Sequence, residues 1–189
     1  NVVGGVVVLF SFLTNAMTSS TQRFLNYNFG LKNESKVSHI FNVSILTHFT
    51  IFLLVLLLSE TVGLWFVMTQ LNIPVGRETA TMWVYQMSVV TTLIGIMVIP
   101  YRASIIAAER MSIFAYVSIL EVALKLVVVL VLSYMSFDNL VMYSILLTLV
   151  ALLIFFIYQI ECRRKLSFTK YHFVWDKSQY KEIDVMFFQ

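Results

Sequence analysis

The sequence predicts an all-α polytopic membrane bundle, and three observations carry that prediction. Five apolar stretches are each long enough to cross a bilayer, which takes about 20 helical residues. The chain of 189 residues is 59% hydrophobic and 12% charged, with 16 Phe, 9 Met and 9 Tyr. That leaves too little polar surface to cover a water-soluble domain, whereas lipid accepts an apolar exterior. The cations, finally, fall almost wholly on alternate loops.

The elements follow in order. Segment one spans about 2–25. Gly4 and Gly5 permit close backbone approach, and the polar run Thr14-Asn15-Ala16-Met17-Thr18-Ser19-Ser20-Thr21-Gln22-Arg23 is expected to face a bundle or cavity, or to leave the membrane in its last turn. The turn Gly30-Leu31-Lys32-Asn33-Glu34 follows. Segment two, 40–66, is most apolar at Ile51–Leu58; its length implies tilt or an extension beyond the hydrocarbon, with Trp65 and Glu60 near the interface. Leu71-Asn72-Ile73-Pro74 breaks it. Segment three, 78–109, reads as one helix kinked at Pro100, a possible hinge, because helix-forming sequence resumes at Tyr101. Segment four is 113–134, Phe137-Asp138-Asn139 is a tight turn, and segment five is 140–160. The remainder reads as a basic linker, 161–184, and the first turn of a further membrane helix, 185–189. The first residue already enters an apolar helix, so the expectation is an internal stretch of a longer polytopic protein.

Charge fixes the expected orientation. Of 13 Lys and Arg, Arg23, Lys32 and Lys36 follow segment one; Arg102 and Arg110 flank the turn after segment three; and Arg163, Arg164, Lys165, Lys170, Lys177 and Lys181 follow segment five. The opposite loops hold only Arg77, and Lys125 lies inside segment four. The positive-inside rule therefore places the loops after segments one, three and five in the cytoplasm. Five crossings that begin outside call for at least one earlier helix.

The net charge of +3 belongs to these topogenic residues and is no nucleic-acid footprint. One cysteine, Cys162, excludes an internal disulfide and is expected to be inert. His39 and His48 lack companions at metal-ligand spacing, so no metal site is expected. No phosphate-cradling glycine loop and no hydrolytic triad is present, and no enzyme activity or cofactor is expected. Asn33-Glu34-Ser35 and Asn42-Val43-Ser44 match a glycosylation pattern on the wrong side. The informative pair is Glu121 and Lys125. Ionised groups at mid-membrane cost roughly 2.5–3.5 kcal/mol each on insertion scales. Four residues apart, they share a helix face in the favourable order. They either neutralise one another against the bundle or line a polar lumen in which Lys125 meets an anion. Arg23 and Arg102 either hold headgroups at the membrane surface or stand at a cavity mouth, where guanidinium forks grip phosphate.

Several stretches occur in a telling order: Asn1-Val2-Val3-Gly4-Gly5-Val6-Val7-Val8-Leu9-Phe10, Ala16-Met17-Thr18-Ser19-Ser20-Thr21-Gln22-Arg23-Phe24-Leu25, Leu71-Asn72-Ile73-Pro74, Trp83-Val84-Tyr85-Gln86, Pro100-Tyr101-Arg102-Ala103-Ser104-Ile105-Ile106-Ala107-Ala108-Glu109-Arg110-Met111 and Phe173-Val174-Trp175-Asp176-Lys177. Together they resemble bacterial polysaccharide export proteins of the MATE-like flippase superfamily, the O-antigen and capsule repeat-unit flippases. The resemblance implies two six-helix lobes, with these segments as helices two to six of the first and the second lobe as a partner. It also implies movement of undecaprenyl-pyrophosphate-linked oligosaccharide across the bacterial inner membrane by alternating access. On that reading Arg23, Arg102, Lys125, Thr18 and Asn15 would meet the substrate and Glu121 would carry the coupling charge, the ion being H+ or Na+. A cation-coupled multidrug exporter of the same superfamily and a non-transporting membrane scaffold are the competing readings.

Overall fold

A computed structural model of the chain describes residues 18–19, 21–30, 34–71, 73, 75–134, 138–166 and 169. Among them every regular element is helical. Helix α1 covers residues 21–30. Helix α2 (Glu34–Leu58), a π-helical turn (Ser59–Gly63) and α3 (Leu64–Thr69) follow, then α4 (Glu78–Ala107), α5 (Met111–Leu132) and α6 (Asn139–Lys165). Four helical stretches among the described residues are long and apolar enough to span a membrane: Ser35–Thr69, Glu78–Ala107, Met111–Leu132 and Asn139–Lys165. The chain is a multi-pass membrane protein. Of the expected first segment, residues 2–17 and Ser20 lie outside the described residues, as do Asn72, Pro74, most of the basic linker and residues 185–189.

Helix α4 is the hub. It packs most extensively on α6 and next on α2, while α5 leans chiefly on α6. One core joins Phe41, Tyr101, Ile105, Ile154 and Tyr158. Within it Tyr101 meets Phe41 edge-on at 5.7 Å and Phe155 at 5.8 Å, the perpendicular geometry that ring quadrupoles favour. A second core joins Leu25 of α1, Val37, Ile40 and Val43 of α2, and Ala103 and Ala107 of α4. Hydroxyls bridge α4 and α6 as well: Thr91 and Thr148 stand 2.9 Å apart, and Thr148 also donates to the Met87 carbonyl at 3.2 Å. Such interhelical bonds serve where lipid offers no alternative partner. The outward faces carry Leu53, Leu57, Leu126, Leu149 and Phe156, the surface that a hydrocarbon solvent accepts.

Several boundaries differ from expectation. The second segment begins at Glu34 rather than Ile40, because Val37 is already buried in the α1–α2–α4 core. Helix α4 runs through the buried Pro100, yet ends at Ala107 rather than Glu109. Its neighbours support the proline: Ser104 Oγ donates to the Pro100 carbonyl at 2.8 Å, and Cys162 Sγ of α6 approaches the Tyr101 carbonyl at 3.5 Å. Helix α5 is shifted to Met111–Leu132 from the expected 113–134. Helix α6 continues through five residues assigned to the linker, ending at Lys165. A Glu161–Lys165 pair at 3.2 Å and three cations in the last turn favour that extension.

The loops gather in the two sets that the charge pattern separates. Arg77, before α4, grips Asp138, before α6, at 3.0 and 3.1 Å, and Asp138 also caps α6 through the Leu140 N–H. At the other end Arg110 reaches the Lys165 carbonyl at 3.5 Å.

The α4–α5 reversal explains the early stop. Arg110 N–H donates to the Ile105 carbonyl and Glu109 N–H to Ile106, a Schellman closure. Glu109 occupies its left-handed position at φ 56°, where glycine is the usual residue. Glu109→Gly is therefore expected to stabilise the bundle by about 1 kcal/mol. Thermal unfolding in detergent checks it; a lower midpoint would count against the strain.

Candidate functional site

Three helices, α4, α5 and α6, bring polar side chains into one region of the bundle. On α5, Lys125 Nζ lies 2.6 Å from Glu121 Oε1. The pair does not face the core: the Lys125 side chain is 52% exposed and that of Glu121 28%. Val117 and Val128 are the buried residues of α5, so most of this helix is open on its outer side. Glu121 is ten residues, about 15 Å, into the helix from Met111, near the middle of a hydrocarbon layer of about 30 Å. A charge pair on an open face at that depth is costly in contact with lipid. Cover by water or protein would remove that cost.

Helix α6 supplies Tyr158, whose ring is buried at 1% exposure. The Arg102 guanidinium of α4 stacks over that ring, 5.9 Å from its centroid. The Tyr158 side chain also interacts with Ser118 and lies in the field of Glu121, about two and three turns respectively from the start of α5. Arg102 Nε is buried without a hydrogen-bond partner. The cation is thus oriented by an aromatic face while one donor stays unspent, and a carboxylate stands near it. Such a cluster can hold an anion with a planar donor fork, provided the anion competes with Glu121.

Of the residues nominated from sequence, Arg102, Glu121 and Lys125 form this arrangement. Arg23 is exposed on α1 and takes no part in these contacts; Thr18 is partly buried and helical; Asn15 lies outside the described residues. Tyr158 and Ser118 were not nominated. Their role depends on the register between helices, which sequence pattern does not encode; the only signal was a hydroxyl-bearing tyrosine in a largely apolar stretch.

A cavity of about 680 Å³ opens elsewhere, between the end of α1, the α4–α5 turn and Leu166. Gln22, Asn26, Glu109, Arg110 and Met111 line it, and none of the charged residues of the cluster does. It is a groove between helix ends, wide and open, at the end of the bundle that carries Arg110 and Lys165. Among the described residues no group of three His, Cys, Asp or Glu could hold a metal. The buried His48 meets Ser44 by its ring.

Comparison with known proteins finds no matching family model, no matching curated protein and no matching solved structure.

Proposed function

We propose that this chain is part of a transporter that moves an amphipathic, anionic substrate across the membrane, in the manner of the lipid-linked oligosaccharide flippases that its sequence resembles. The observation that carries the reading is the Glu121–Lys125 pair on an open face of α5 at mid-membrane depth. A water-filled path beside that face removes the desolvation penalty that lipid would impose. Arg102, stacked on Tyr158 with a free donor, stands nearer the basic end of the bundle. A pyrophosphate entering from that end would meet Arg102 first and Lys125 deeper, while an isoprenoid tail stays in the bilayer. The positive-inside rule makes that end cytoplasmic, and the resemblance implies the bacterial inner membrane. The remaining wall of the path would come from a second lobe. Binding and conformational change suffice for such movement, so no bond is broken and no enzyme chemistry is invoked.

Neutralising Arg23, Arg102 and Lys125 one at a time in the full-length protein tests this. Arg102 and Lys125 variants are expected to lose surface polysaccharide by about tenfold or more, the worth of one charge-assisted contact, at normal protein abundance. Export unchanged in both would sink the assignment. Loss of drug resistance with intact polysaccharide would instead favour the cation-coupled exporter.

A further inference from the structure

His48 is a fully buried ionisable side chain outside the cluster, at 0% exposure. It lies twelve residues beyond Lys36 on α2, about 18 Å along the helix and so deep in the membrane layer. Its Nδ1 is 2.7 Å from the Ser44 carbonyl oxygen. A carbonyl can only accept, so Nδ1 carries the hydrogen and Nε2 holds the lone pair. That Nε2 is buried with no hydrogen-bond partner. The ring sits in a polar seam between α1 and α2: Ser44 Oγ is 3.4 Å from Nδ1 and donates to Thr21 Oγ1 at 3.4 Å, and Thr47 is buried beside it. Ser44 and Thr21 are 0% and 1% exposed. A buried acceptor left empty inside an otherwise satisfied polar network is uncommon and calls for a reason.

We propose that Nε2 of His48 is a proton-binding site whose occupancy loosens the α1–α2 seam. The step balances simply: a hydronium ion delivers its proton to the Nε2 lone pair, an N–H bond forms, water leaves, and the neutral ring becomes an imidazolium. The sign follows from the surroundings. Protonation adds a charge and a second N–H donor where, among the described residues, no acceptor pairs with it, so the closed seam favours the neutral ring and acid opens it. The charged and titratable groups of the packed elements are remote or turned away. On α1 the nearest is Arg23, which is exposed; on α2 they are Lys36 and His39, two to three turns back; α4 carries no titratable residue between Tyr85 and Tyr101, and its Arg102 is engaged by Tyr158. None offers a counter-charge to the imidazolium. Resting on the transport reading for its role, this site makes the coupling ion a proton and places it on α2 rather than at Glu121.

The test uses the full-length protein in lipid bicelles, with 15N-labelled histidine and no transport substrate. The chain holds three histidines, His39, His48 and His172, and His48→Gln assigns the signal; if that variant does not fold, His39→Gln and His172→Gln assign it by elimination. Between about pH 8 and about pH 3, a range extended downward because burial disfavours the charged ring, His48 should pass from an Nδ1–H tautomer to an imidazolium. With Cys162 replaced by Ala, a cysteine at Thr47 should react with a thiol reagent on the order of tenfold faster at the acid end. That acceleration should vanish in His48→Gln. A ring that stays neutral throughout overturns the proposal, as does an Nε2–H tautomer or an acid acceleration that persists without His48. Because neither readout involves export, its failure and the failure of the transport reading remain distinguishable.

Discussion

Gly63→Ala is expected to destabilise the protein by about 2–3 kcal/mol, far more than an exposed helix glycine would suggest. The π-helical turn Ser59–Gly63 sits in the membrane-spanning rod of α2 and α3. Widening the helix there pairs the Ser59 carbonyl with the Leu64 N–H, and Tyr85 Oη of α4 donates to the same oxygen at 2.6 Å. A Cβ on Gly63 would collide with the Tyr85 hydroxyl and crowd Cζ at 3.3 Å. The ring must then swing away, which strips the Ser59 carbonyl of its second donor and leaves the Tyr85 hydroxyl without its acceptor in an environment with little water. Gln86, which donates to Glu60 at 3.3 Å, would be pulled from the same surface. A double-mutant cycle separates collision from lost bonding. Tyr85→Phe alone should cost about 1 kcal/mol, and Gly63→Ala on that background should cost clearly less than in the parent. Additive losses, read from denaturation in detergent, would mean that the hydroxyl is not what Gly63 accommodates.

This turn also marks where the sequence stopped being legible. Segment two looked too long for the hydrocarbon, and tilt or extension was the natural inference. The length is real, since helix runs to Thr69, but nothing in Ser59-Glu60-Thr61-Val62-Gly63 announces a change of helical pitch. The cause is a tyrosine 26 residues away. The same distinction runs through the rest of the chain. Spans were readable because lipid filters composition along a helix, residue by residue. Ends were less so, because they depend on side chains such as Val37 finding a neighbour or on Glu109 accepting a left-handed conformation. The Glu121–Lys125 pair was readable from its spacing alone, whereas the Arg102–Tyr158 stack joins residues 56 apart whose register only packing sets. His48 shows the limit most clearly. Weighed as a metal ligand it has no companions; its significance lies in a serine one turn back and a threonine on another helix.

Neutralising one member of the Glu121–Lys125 pair discriminates between a lipid-facing and a water-facing α5, and the two outcomes differ in sign as well as size. Were that face in contact with acyl chains, Glu121→Gln would leave Lys125 as a lone charge in hydrocarbon, at a cost of about 2.5–3.5 kcal/mol. The double variant Glu121→Gln with Lys125→Met would then recover most of the loss. Were the face open to water, the pair would behave as a half-exposed ion pair, worth about 0–1 kcal/mol, and single and double variants would be nearly equal in stability. The exposure of Lys125 and the scarcity of buried residues on α5 favour the second outcome. The corresponding transport result is large where the stability result is small. Lys125→Met should reduce polysaccharide export about tenfold or more, whereas Glu121→Gln leaves the cation in place and relieved of its competitor, so export should survive. A stable Lys125→Met protein that still exports normally would remove the anion from this face and leave the pair with a purely structural role. A Lys125→Met protein rescued in stability by Glu121→Gln would place α5 against lipid or a partner helix, and the aqueous path would have to run elsewhere in the bundle.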